Sequence, residues 1–180
     1  IGLYQIGKYC IANLKKDSYY GEINYAIKKN SPDILIVGAS RAKSGYVPYI
    51  LKDSLHHTVY NAASDGKNIL YHSCIINAVI NRHKPKLIIL DLIAQEFQKD
   101  VYDRLSVLNP FYDYDSLIKA TVNLKSNTEF LKMKSYLYRY NSSIITLIYN
   151  CYKEGENKNA GYRALSYGGT LPVLDTIRIE

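Results

Sequence analysis

The chain has 180 residues, 47% of them hydrophobic and 22% charged, with a formal net charge of +7. That is enough apolar material for one domain with a sizeable core, or for part of a larger one, and it excludes a disordered chain. The positive balance favours an anionic partner, but no compact Lys/Arg stripe, zinc-finger spacing or ribonucleoprotein-type motif points to nucleic acid, and no apolar run approaches a membrane span.

Residues 1–30 carry Leu3, Ile6, Ile11, Leu14, Ile23 and Ile27 at loosely helical spacing, interrupted at Lys15-Lys16-Asp17-Ser18, and predict two helical pieces. Ser31-Pro32-Asp33 stops the second and launches a strand. In Asp33-Ile34-Leu35-Ile36-Val37-Gly38-Ala39-Ser40, an apolar run feeds a small-residue turn, the pattern of a buried parallel strand that ends by presenting a hydroxyl. Ser40 is the candidate nucleophile on that ground; the plainer alternative is a turn residue that only lets the backbone bend.

Arg41 to Pro48 holds too many breakers for one clean helix, so helix is expected only over about 49–55, followed by a short strand over His56 to Asn61. Ala62 to Gly66 is a second small-residue turn, 67–82 a well-formed helix, and Leu87 to Leu92 a third strand. Residues 100–115 read as a loop, helices are expected near 116–122, 128–138 and 142–152, and 153–169 as a loop. Thr176 to Glu180 is a possible fourth strand. The expected architecture is α/β: three layers, α/β/α, around a parallel sheet. A single domain over 1–180 divides into a helical lead-in at 1–30, a three-strand core at 31–96 and a helical and loop region at 97–180.

Cys10, Cys74 and Cys151 are widely spaced and lack a C-x-x-C pair, so neither a metal site nor a disulfide framework is implied, and no cofactor is either. Cys74 reads as a small buried hydrophobe. Nineteen tyrosines without a tryptophan are compatible with carbohydrate contact, although surface packing accounts for most of them. No signal peptide is visible, and the start at Ile1 leads to the expectation that an upstream targeting or anchoring segment has been removed.

The three strand ends together resemble the SGNH hydrolase superfamily, the GDSL-type esterases and acyl hydrolases. Val37-Gly38-Ala39-Ser40 is similar to the nucleophile block, with Ser40 in that role. Asn61-Ala62-Ala63-Ser64-Asp65-Gly66 occupies the register of N-x-G-x-x-G, so the resemblance implies Gly66 as an oxyanion amide, while Ala63 replaces the middle glycine. Ile93-Ala94-Gln95-Glu96 occupies the register of G-x-N-D, so Gln95 would stand in for the asparagine donor. A serine needs a base and a preformed oxyanion site, which is why such positions converge. The resemblance also implies a flavodoxin-like strand order in a five-stranded sheet that is incomplete at the C-terminal end of this chain.

The family's base, a histidine in a C-terminal D-x-x-H block, is absent: His56, His57, His72 and His83 all precede the third strand end, and none follows an aspartate by three. Either that block lies outside the 180 residues, the simpler account, or catalysis has been lost. His56 and His57 fall at the wrong edge, His83 in a helix-to-strand turn, and His72 is expected to be a surface or packing residue. The Asp91-Leu92 strand end and the Gly161-Tyr162-Arg163 loop are similar to an extracytoplasmic, cell-envelope polysaccharide branch, which implies a glycan or acyl-ester substrate and an N-terminal membrane anchor outside this chain. Arg41 would touch an anionic substrate or, more simply, act as a hydrogen-bond donor at the turn. The rival without chemistry is a binding or scaffold module for a glycan or a protein. A nucleotide-binding domain is disfavoured because neither G-x-x-x-x-G-K-[ST] nor G-x-G-x-x-G follows the first strand.

Overall fold

A computed structural model describes residues 2–16, 18–97, 99–140, 143–152 and 160–162. Two helices open the chain, α1 (Gly2–Ala12) and α2 (Tyr19–Lys28), matching the two helical pieces expected. Ser18 caps α2 by accepting the Gly21 amide at 3.2 Å. At the other end, Arg82 donates to the carbonyls of Ala26, Ile27 and Asn30 at 2.9–3.0 Å, satisfying groups that a helix terminus leaves open.

Strand β1 (Ile34–Gly38) is buried at every position and is central. It is followed by α3 (Ser40–Gly45), α4 (Pro48–Leu55), β2 (Val59–Asn61), α5 (Ile69–Ile80) and β3 (Leu87–Asp91). The sheet order is β2-β1-β3 and both pairings are parallel, with Ile36 opposite Asn61 and Ile89, and Gly38 opposite Asp91. Successive residues of β1 point to opposite faces. Leu35 and Val37 enter a large core with α2 and α5, whereas Ile34 and Ile36 enter a smaller one with Ala42 and, partly buried, Leu51. Helices therefore cover both faces of a parallel sheet.

Two expectations need correction. Ser40 to Gly45 is a helix in place of a breaker-rich turn, because a buried bracket from β2, described below, takes its terminal carbonyls. Residues 99–111 form a run of 3-10 helix (Lys99–Phe111) where a loop was expected. That run buries Leu105, Val107, Leu108 and Phe111, and burial outweighs the breaking effect of Pro110. Helices α6 (Ser116–Asn123), α7 (Glu129–Lys132), α8 (Tyr136–Tyr140) and α9 (Ile144–Tyr152) complete the described chain, so the helix expected over 128–138 is two pieces. The possible strand at 176–180 and most of the loop expected at 153–169 lie outside the described residues.

The two sheet edges differ. Beside β2, the Asn61 amide donates to the Ala160 carbonyl at 2.9 Å, so residues 160–162 line that edge. On the other side no strand among the described residues pairs with the outer edge of β3, where Leu87 and Leu90 are 49% and 40% exposed. All three cysteines are buried and unpaired, and burial raises the Cys74 thiol to about 11 and the Cys151 thiol to about 12. No helix of the described residues is long and apolar enough to cross a membrane.

Gly38 sits where three strands converge and has no room for a side chain. A Cβ there would lie 2.6 Å from the Ala42 Cβ and 2.7 Å from the Asp91 carbonyl oxygen. Gly38→Ala is expected to destabilise the fold by about 1–3 kcal/mol through forced backbone movement, read as a lowered urea midpoint at unchanged slope.

Candidate functional site

The carboxyl edge of the sheet is assembled by backbone bonds that continue past the ladders. The Ala62 amide donates to Ile36 O at 2.8 Å, and the Ser64 amide donates to Gly38 O at 3.0 Å. The turn after β2 is thereby fastened to the tip of β1, while the tip of β3 faces Gly38 through Asp91. All three strand ends lie at one edge, where parallel α/β sheets offer a crevice.

Ser40 is the first residue of α3 and is exposed. Gly66 is exposed two residues beyond the fastened Ser64; its φ of +64° suits a residue without Cβ, and its carbonyl accepts from Arg104 Nη1 at 3.0 Å. Gln95 is exposed on a 3-10 turn, Ala94–Phe97, just after β3. The edge thus gathers the three segments, but no hydrogen bond among the described residues joins the side chains of Ser40 and Gln95 to one another or to a histidine.

Arg41 donates from Nε to both Asp91 carboxylate oxygens, at 2.9 and 3.2 Å, and from Nη2 to Asp91 Oδ1 and to Leu92 O, the last at 3.1 Å. It is the hydrogen-bond donor at the turn, locking the head of α3 to the tip of β3. Its side chain is still 62% exposed and, with Gly45, Tyr46, Leu90, Asp91 and Leu92, lines an open groove of about 550 Å³. That is within the size range of small-molecule clefts.

Asn61 is a bracket that sequence reading assigned no separate task. Fully enclosed, it donates from Nδ2 to Ala42 O at 2.8 Å and to Tyr46 O at 3.1 Å, and its Oδ1 accepts the Ala63 amide at 3.0 Å. Lys43 of α3 is equally buried and pairs with Glu22 of α2. Since α2 and α3 cover opposite faces, this ion pair crosses over the carboxyl edge. A small cavity of about 10 Å³, lined by Glu22, Asn61, Ser64 and Tyr71 among others, has room for at most one water.

A second pair escaped sequence reading altogether. The turn that exposes Gln95 points Glu96 inward, and Glu96 Oε2 lies 3.0 Å from His72 Nε2 on the first turn of α5. His72 is fully buried, so of the two expected roles it is a packing residue and not a surface one. A carboxylate can only accept, so Nε2 carries the proton and Nδ1 is left without a partner. Burial lowers the His72 imidazole to about 4, because a second proton would put an unanswered N–H in the interior. Burial also raises Glu96; the Ile93 backbone and Arg41 oppose this, and Asp91 reinforces it.

The remaining histidines are elsewhere. His83 Nε2 lies 3.0 Å from Pro32 O, and His57 Nδ1 lies 4.0 Å from Asp33 Oδ2; His56 ends α4. All three stand at the amino edge, where β1 and β2 begin. Among the described residues no cluster of three or more His, Cys, Asp or Glu could hold a metal. Many phenols are occupied by cations: Lys28 lies over Tyr114, Lys67 over Tyr19 and Tyr71, Lys119 over Tyr112, and Arg139 over Tyr112 and Tyr136, all within 6 Å of the ring centre.

No family model matches the chain, and no curated protein or solved structure matches it either.

The buried imidazole makes stability depend on pH. Between an unfolded value near 6.5 and a folded value of about 4, the unfolded chain binds the proton more readily, so stability falls as pH drops through this window. Glu96, raised in the folded state, acts with the opposite sign and offsets part of the loss near its own titration. The His72 contribution from pH 7 to 5 is a loss of about 2 kcal/mol, measured by urea unfolding at each pH. His72→Leu/Glu96→Leu, which replaces both partners by apolar groups, is expected to flatten the dependence.

Proposed function

We propose that this chain carries the nucleophile side of an SGNH-like serine esterase or O-acyltransferase acting on acyl groups, acetyl foremost, of cell-envelope or extracellular glycans, with an extracytoplasmic location. The observation that carries the proposal is the exposed Ser40 hydroxyl at the head of α3, directly after the central strand, on the edge where β2 and β3 also end. In this role Ser40 Oγ attacks the ester carbonyl and expels the sugar hydroxyl, which receives the serine proton through a base. The acyl-serine then passes its acyl group to water or to a second hydroxyl. The Gly66 amide and the Gln95 carboxamide are the donors assigned to the oxyanion, and the groove walled by Arg41 is the place for the glycan.

The four histidines are engaged or placed away from Ser40, so in this reading the histidine base lies outside the described residues. That same observation favours one alternative, a catalytically inactive SGNH-like module that binds a glycan or a protein partner at this edge.

A fluorophosphonate probe applied to the full-length protein separates the two. Labelling of the wild type that disappears in Ser40→Ala is expected for the enzyme, and Gln95→Ala should then lower kcat about 100- to 1,000-fold, in the range seen when an oxyanion donor is removed. Labelling that persists in Ser40→Ala removes Ser40 as the nucleophile. No labelling of the wild type, with glycan binding retained in Ser40→Ala, selects the binding module.

A further inference from the structure

We infer that the outward faces of α1 and α9 form a docking surface for an anionic membrane. Helix α9, Ile144-Ile-Thr-Leu-Ile-Tyr-Asn-Cys-Tyr152, contains no charged residue. One side, Leu147, Asn150 and Cys151, is buried in the molecule. The opposite side shows Ile145, Ile148, Tyr149 and Tyr152, spaced i, i+3, i+4, i+7, with Ile145 81% and Tyr152 74% exposed. A helix this rich in apolar residues and free of charge normally has more than one side covered, and among the described residues only one is.

The stripe continues onto α1, which lies alongside: Cys151 Sγ donates to Cys10 O at 3.2 Å, and α1 exposes Ile6 and Tyr9. On the other flank of α1, the Tyr4 ring sits 4.2 Å from the Tyr136 ring of α8, whose Leu137 is also exposed. These three helices contain no Asp or Glu. Their cations are Lys8 and Arg139, and Arg139 is answered by Asp113. Lys15 comes three residues after α1 and its amide donates to Asn150 O of α9 at 3.0 Å, Lys16 lies over the Tyr25 ring of α2, and Asp17 is the one acid among the first 21 residues.

Helices without acids of their own, bearing isoleucines, phenols and lysines, with Asp113 set against Arg139 at their margin, meet two demands of an anionic bilayer at once. The isoleucines enter the acyl boundary while the tyrosine hydroxyls and lysine ammoniums remain at the headgroups. A second copy of the chain would cover the same apolar area but set cations against cations, which disfavours it as the occupant. At nine and eleven residues the helices lie along the interface and do not span it. The inference is independent of any chemistry at Ser40.

The test is co-sedimentation of the chain with vesicles of phosphatidylcholine alone or with about a third phosphatidylglycerol. The wild type is expected to partition at least roughly tenfold better onto the anionic vesicles, and less so in high salt. Ile145→Glu/Tyr152→Glu should lose that preference at unchanged melting temperature, because these two side chains are the most exposed of the stripe. The chain has no tryptophan, so Ile145→Trp reports directly, with emission shifting to the blue on anionic vesicles. Absence of vesicle binding, equal binding by wild type and double variant, or sedimentation showing self-association that the double variant abolishes would each overturn the inference.

Discussion

The carboxyl edge of this molecule depends on how tightly three strand tips close around Gly38. Its carbonyl takes the Ser64 amide, its Cα faces Asp91, and the Ala42 methyl stands where a side chain would go. With that contact made, the turn after β2 has one path, and the head of α3 falls against the end of β3. Arg41 then meets Asp91 without reaching, and Asn61 is left inside to receive α3 from below. Each of these polar links is buried or bidentate, the kind of bond that is costly to leave half made.

The consequence for chemistry is a division of labour along the edge. Lys43 pairs with the half-buried Glu22, His72 pairs with Glu96, and the enclosed Asn61 holds the backbone of Ala42, Tyr46 and Ala63, so these residues hold shape. Ser40, Gly66 and Gln95 face solvent, together with Arg41 and Asp65. The Gln95-Glu96 step shows the device in miniature: one 3-10 turn sends one side chain out to the crevice and the next into the core.

Strands β1 and β3 and helix α5 were legible because continuous apolar runs or a clear 3.6 period are bounded by proline, glycine and asparagine. Helix α3 was not, because Ser44 and Gly45 look like breakers until the Asn61 amide, 15 and more residues away, takes its final carbonyls. The run at 99–111 hid behind Asn109-Pro110, although Leu105, Leu108 and Phe111 fall at the threefold spacing that such a helix buries. At the site, positions that follow strands could be read from spacing alone. The His72 and Glu96 pairing could not, since 24 residues separate them and only the path of α5 past β3 brings them together.

The unequal flanks of the sheet set a direction. With residues 160–162 bonded along β2, that side is closed to additional main chain. Along β3 no described strand takes the outward amides and carbonyls, and Leu87 and Leu90 are exposed beside them. Among the described residues the open flank of the sheet is thus at β3, and a strand laid there would extend the crevice on the side where Arg41 grips Asp91.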